Sequence, residues 1–178
     1  RSVVIAQVQA FGGKMGHHPA DVSDPAQIAE MIAYAEREFG GIDILVNNAG
    51  NAGANPDPEV RKPFWETGPE AWDSYLRVNL YGVINCSSAC IPQMIARKGG
   101  RIITIISDAG RAGEAGLEVY SGAKAGAAGF TRGIARSLGR HQITANCIAI
   151  AATATPFVEE RLRGDPERFK KIMENSTS

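Results

Sequence analysis

The amino-acid sequence predicts an α/β fold in which a parallel sheet is wrapped by helices on both faces. Three observations carry this expectation. Apolar runs of strand length alternate with stretches of helical periodicity along the chain. The run at 42–46 is an apolar strand of the kind that parallel sheets cover on two sides. Asp21, Asn48, Ser107 and the segment 150–155 all fall at strand ends, and open parallel sheets bind ligands beyond the carboxyl ends of their strands.

Each element follows from local signals. Val4, Ile5, Val8 and Phe11 recur at helical spacing until Gly12-Gly13 stops the run. Residues 15–19 read as a short strand leading into Ala20-Asp21-Val22. Asp24-Pro25 caps and opens a helix whose buried stripe is Ile28, Met31, Ile32, Ala35 and Phe39. Gly40-Gly41 ends it, and the strand 42–46 runs into Asn47-Asn48-Ala49-Gly50. Asn tolerates unusual backbone angles there, and Ala-Gly lets a flat group approach the main chain. Residues 51–66 form a proline-rich polar loop, either a wall of a substrate entrance or a solvated insertion. Thr67-Gly68-Pro69-Glu70 reads as a capping box opening a helix that continues to Lys98 with a bend at Pro92. The strand 101–106 delivers Ser107, an Ala- and Gly-rich helix follows, and 143–150 is the last clear strand before a charged amphipathic tail.

Composition narrows the function classes. The 178 residues suffice for one domain, and a net charge of +0 gives no electrostatic reason to bind nucleic acid or an anionic membrane. No run approaches the ~20 apolar residues of a membrane span, and the opening Arg1-Ser2-Val3-Val4-Ile5 lacks the pattern of a secretory signal. Cys86, Cys90 and Cys147 are an odd set without framework spacing, which fits a reducing, cytoplasmic setting. Cys86 and Cys90 lie i, i+4 on a helix without further ligands nearby in sequence, so they read as core residues. His17-His18 reads as a strand end, and no metal is expected.

The chemistry concentrates in Tyr120 and Lys124. Four residues apart, they share one face of a helix. A phenol with pKa ~10 is a poor acid or base at neutral pH, and a nearby ammonium favours the phenolate. Ser107 can offer a hydroxyl to the same substrate oxygen. Together these groups suit proton transfer at an alcohol or carbonyl oxygen while a hydride moves at the carbon.

These residues resemble the short-chain dehydrogenase/reductase family in its long-established form. The resemblance rests on Ala20-Asp21-Val22, Asn47-Asn48-Ala49-Gly50, Val78-Asn79-Leu80, Ser107 and the Tyr120/Lys124 pair, and covers nearly the whole chain. It implies a Rossmann-like doubly wound parallel sheet, incomplete in this chain, and an oxidoreductase using NAD or NADP on a secondary alcohol or ketone. Tyr120 would be the general acid/base, and Lys124 would lower its pKa and hold the nicotinamide ribose. Ser107 would position the substrate oxygen, and Asn79 would support a relay water beside Lys124. Asp21 and Val22 would contact the adenine, Asn48, Ala49 and Gly50 the middle of the cofactor, and Thr153 and Thr155 the nicotinamide side. The family also implies a homotetramer or dimer through the 69–98 and 119–138 helices. The stretch 107–116 resembles members acting on acyl thioesters or cyclic hydroxy compounds.

Three departures stand against the family pattern. The Gly-rich phosphate loop and the first two strands have no counterpart, although a dinucleotide pyrophosphate needs those backbone N–H groups. The strand at 15–19 would then lack a neighbour, so the residues are expected to belong to a longer polypeptide, or to be its ordered part. Ile150-Ala151 stands where the family has Pro-Gly, and the chain stops before the family's last strand. These departures leave a rival reading, a dehydrogenase-like module kept for binding or assembly. The intact Ser107, Tyr120, Lys124 and Asn79 set speaks against it.

Overall fold

A computed structural model describes residues 2–51, 62–151 and Glu167. Helix α1 spans Ser2–Ala10 and α2 spans Pro25–Phe39. Strand β1 spans Ile44–Asn47, and a 3₁₀ turn at Phe64–Glu66 precedes α3, Pro69–Leu76. A π-helical turn, Arg77–Tyr81, joins α3 to α4, Gly82–Ala96. Then come β2 at Gly100–Ser107, α5 at Ala109–Ala112, α6 at Glu118–Leu138 and β3 at Ile143–Ile150.

Helix α2 forms where its local signals put it. The Asp24 carboxylate accepts from Ala26 N at 2.9 Å and Gln27 N at 3.3 Å, and Pro25 fills the first turn. Gly40 ends the helix in the left-handed region at φ +80°, and its N–H donates to Glu36 O. Ile28 and Ile32 are buried and Met31 and Ala35 partly so, whereas Phe39, at the last turn, stays largely exposed.

The three strands are parallel in the order β1-β2-β3. Leu45 pairs with Ile102 and Ile102 with Ala145, so these residues share one face. One core cluster packs that face with Ile28 and Ile32 of α2, Cys90 and Met94 of α4, and Leu138 of α6. The opposite face is not covered by the described residues: Ile44 is 58% exposed, Val46 51%, Ile148 50% and Ile150 45%. The sequence predicts a doubly wound parallel sheet, incomplete in this chain, and the described part is such an incomplete sheet, with the packed helices on one side. The cause is topological. Right-handed crossovers between strands laid down in one direction carry all their helices to the same side.

Three local expectations also change. Residues 15–19 form no strand, because no partner strand is present among the described residues. The segment packs on α2 instead, with the His18 ring 5.4 Å from that of Tyr34 and Lys14 above the Phe39 ring. Thr67 is not the cap of α3; Gly68 holds that position without a side-chain bond. The Thr67 hydroxyl is already engaged, donating to Phe64 O at 2.6 Å and accepting from Trp72 Nε1 at 2.8 Å. Pro92 lies inside α4, and the helical ladder departs from α geometry earlier, at the π turn. No described helix is long and apolar enough to cross a membrane.

Candidate active site

Ser107 is the last residue of β2, where the ends of β2 and β3 are tied by Asp108 N donating to Ile150 O at 3.1 Å. Its Oγ accepts from Ala109 N at 3.2 Å, which opens α5 and leaves the O–H free to donate to a ligand oxygen. The chain then turns through Gly116, at φ +79°, into α6, and Tyr120 and Lys124 occupy the first turns of that helix.

Lys124 is 5% exposed. Its Nζ donates to Ile105 O at 3.0 Å and lies 5.9 Å from the centre of the Tyr120 ring. Burial pulls the Lys124 pKa below the ordinary lysine range, because the ammonium loses water. Helix α5 packs closely here, since a Cβ on Gly110 would lie 2.7 Å from Lys124 Cβ.

Ser107, Tyr120 and Lys124 line a single cavity of about 290 Å³ together with Asn48, Gly50 and Ile150. A second cavity, about 170 Å³, is lined by Val22, Met31, Leu45, Asn48, Ala49 and Val78. Asn48, directly after β1 at the carboxyl edge of the sheet, lines both. Tyr120 also borders a third cavity.

Asn79 is fully buried in the π turn. Its Oδ1 accepts from Asn51 N at 3.3 Å, and its Nδ2 donates to Asn51 O at 2.8 Å and Tyr75 O at 3.1 Å. The amide therefore clasps the backbone that follows Gly50. A Cβ on Gly50 would sit 2.9 Å from Asn79 Oδ1 and 3.2 Å from Lys124 Nζ, so these three residues meet behind the cavity wall.

Other expected site residues behave differently. Val22 reaches the cavity wall, but Asp21 is exposed and its carboxylate accepts from Ser23 N at 2.8 Å in a local turn. That bond holds the Asp21 pKa below the usual carboxylate range. Thr153 and Thr155 lie outside the described residues. Sequence reasoning missed the Ile105 carbonyl and Tyr75. Tyr75 sits one helical turn before Asn79, and its ring meets that of Tyr120 edge-on at 6.4 Å. Its i, i+4 relation to Asn79 is the signal that could have found it. Among the described residues, no group of three His, Cys, Asp or Glu is placed to hold a metal.

A family model described as short chain dehydrogenase matches residues 2–165. The chain belongs to that family. Its relatives include the short-chain reductase protein NovJ of Streptomyces niveus, 40% identical over 164 residues, which are 90% of this chain and 60% of that protein. The (2S)-[(R)-hydroxy(phenyl)methyl]succinyl-CoA dehydrogenase subunit BbsD of Thauera aromatica is 42% identical, over 88% of this chain and 61% of the relative. A gluconate 5-dehydrogenase from Burkholderia cenocepacia J2315, solved with NADP and tartrate, matches at TM-score 0.76 and 31% identity, over 92% of this chain and 61% of that one. An NAD⁺-bound xylitol dehydrogenase matches at TM-score 0.81 and 27% identity, over 90% of this chain and 59% of that one. This dehydrogenase-family chain thus spans about 60% of the length of the relative NovJ.

Proposed function

We propose that this chain works in an NAD(P)-dependent oxidoreductase that interconverts a secondary alcohol and a ketone. The observation that carries the reading is the common cavity of Ser107, Tyr120 and Lys124 at the carboxyl end of the sheet. The two cavities suit a dinucleotide in two respects. The one lined by Val22, Met31 and Leu45 offers apolar walls to a flat base. The other presents the polar side chains of Asn48, Ser107, Tyr120 and Lys124. When bound, the dinucleotide accepts or supplies the hydride.

The chain's own residues manage the proton. In the oxidation direction the Tyr120 phenolate takes the carbinol O–H proton as the carbon gives up its hydrogen with the bonding pair. In reduction the phenol returns that proton to the carbonyl oxygen. Ser107 donates to the same oxygen and fixes its position. The Lys124 ammonium stands 5.9 Å from the centre of the ring and would hold the ribose hydroxyls. Asn79 acts by holding the Gly50–Asn51 backbone against Lys124. The family's oxoacyl and hydroxyacyl members make acyl thioesters one substrate class to assay, with cyclic hydroxy compounds the other.

Copies of the chain associate, in this reading, through the 69–98 and 119–138 helices. Gly122 and Gly133 leave open space on α6 for a close approach. The test of the reaction is turnover of secondary alcohols and ketones with each nicotinamide cofactor in the full-length protein. Tyr120→Phe is expected to lower kcat by ~10²–10⁴-fold with the fold retained. Undiminished turnover in that variant would discard the mechanism. Titration of NADH and NADPH by calorimetry separates this reading from a non-catalytic binding module.

A further inference from the structure

We propose that the substrate carries an aromatic ring beside its reacting carbon, and that Trp72, with Phe64 and Tyr75, selects it. The inference rests on the reaction proposed above and names its substrate class. Tyr120 lines two cavities, one shared with Ser107 and Lys124 and the other a pocket of about 150 Å³. A substrate with its oxygen at the Tyr120 hydroxyl places a substituent in that second pocket.

The walls of the pocket choose the substituent. Phe64, Trp72 and Tyr75 line it together with Leu117, Val119 and Tyr120. The indole N–H is spent on Thr67 Oγ1 at 2.8 Å, and the Thr67 hydroxyl on Phe64 O at 2.6 Å. Trp72 therefore offers a guest only carbon and π surface. Lys62, Thr67 and Glu118 also line the pocket and can meet hydroxyls, so the selection rests on the aromatic side chains. An arene loses nothing there and gains edge-to-face contacts of the kind Tyr75 and Tyr120 already make, 66° between planes. Size agrees, because a cavity on the order of 150 Å³ has room for benzene. Phe64, 43% exposed at the rim, is surface that such a ring would cover.

The experiment compares acetophenone with butanone, which replaces phenyl by ethyl, in the full-length protein with NADH and NADPH. Acetophenone is expected to show at least a tenfold higher kcat/KM. Trp72→Ala should collapse that ratio towards one, mainly through a higher KM for acetophenone, and Trp72→Phe should keep most of it. Equal kcat/KM for the two ketones, or a Trp72→Ala loss shared equally by both, overturns the proposal. If neither ketone is turned over, the reaction reading fails, and saturation-transfer NMR of acetophenone judges the pocket alone. A saturable transfer signal that vanishes in Trp72→Ala sustains it; no signal, or one unchanged in the variant, overturns it.

Discussion

The side-chain amide of Asn79 grips the backbone of Asn51 at both ends, accepting from its N–H at 3.3 Å and donating to its C=O at 2.8 Å. One buried side chain thereby does for the residue after Gly50 what a neighbouring strand does elsewhere in the sheet. Substituting Asn79 by Ala leaves both backbone groups unpaired. A loss of about 1–3 kcal/mol in urea denaturation is expected from each group left buried and unsatisfied. A variant as stable as the parent would show that water replaces the amide without cost.

Gly50 lies in the same knot. A methyl group there would meet Asn79 Oδ1 at 2.9 Å and Lys124 Nζ at 3.2 Å. Gly50→Ala is expected to cost about 1–3 kcal/mol through overpacking. By displacing the ammonium it should also lower kcat/KM on the order of 10²-fold. Stopped-flow turnover beside a thermal melt reads the two effects separately, and normal activity would mean that the knot relaxes freely.

Lys124 gives stability a pH dependence of known sign. Burial depresses its pKa, so between that lowered value and the unfolded value of ~10.4 the unfolded chain binds a proton that the native chain does not. Stability from this group rises with pH across that window and is flat below it. Lys124→Met abolishes the slope, so the parent should gain on the variant as pH is raised in paired urea titrations. Parallel stability curves would contradict a desolvated ammonium.

The thiols should divide by environment. Burial, with Cys86 nearby, pushes the Cys90 thiol up to about 12, and burial also raises Cys86. Cys147, on β3, is only partly buried. Since the thiolate is the reactive form, iodoacetamide is expected to label Cys147 first and the other two only under denaturant. Peptide mass mapping after timed quenches reads the order.

Much of this arrangement is legible in the residues, because its signals are local. The Asp24-Pro25 start of α2 and its Gly40 stop need no distant partner to be recognised. The bounds 143–150 of the last strand match the structure. Helical spacing points to Tyr120 and Lys124, and a place at a strand end points to Ser107; all three meet in one cavity. What the residues do not announce depends on distant contacts. Residues 15–19 have strand character, but a strand needs another strand to bond to, and α2 receives the segment instead. The Thr67 motif fits a cap, yet its hydroxyl is claimed by Trp72. Asp21 ends up bonded to its own turn. Which face of the sheet is covered follows from the handedness of the crossovers, which no single segment encodes.

The π turn at Arg77–Tyr81 has a genetic consequence. It holds one residue more than an ordinary helical turn, so an in-frame deletion of a single codon there would mend the spiral and make it more regular. Because the turn already absorbs that residue, the helices on either side would keep nearly their present orientation. What would be lost is the bulge that carries Asn79 to the Asn51 backbone. Such a deletion is expected to keep a near-parental far-ultraviolet dichroism spectrum and lose turnover, an outcome that a routine helix-content assay would record as harmless.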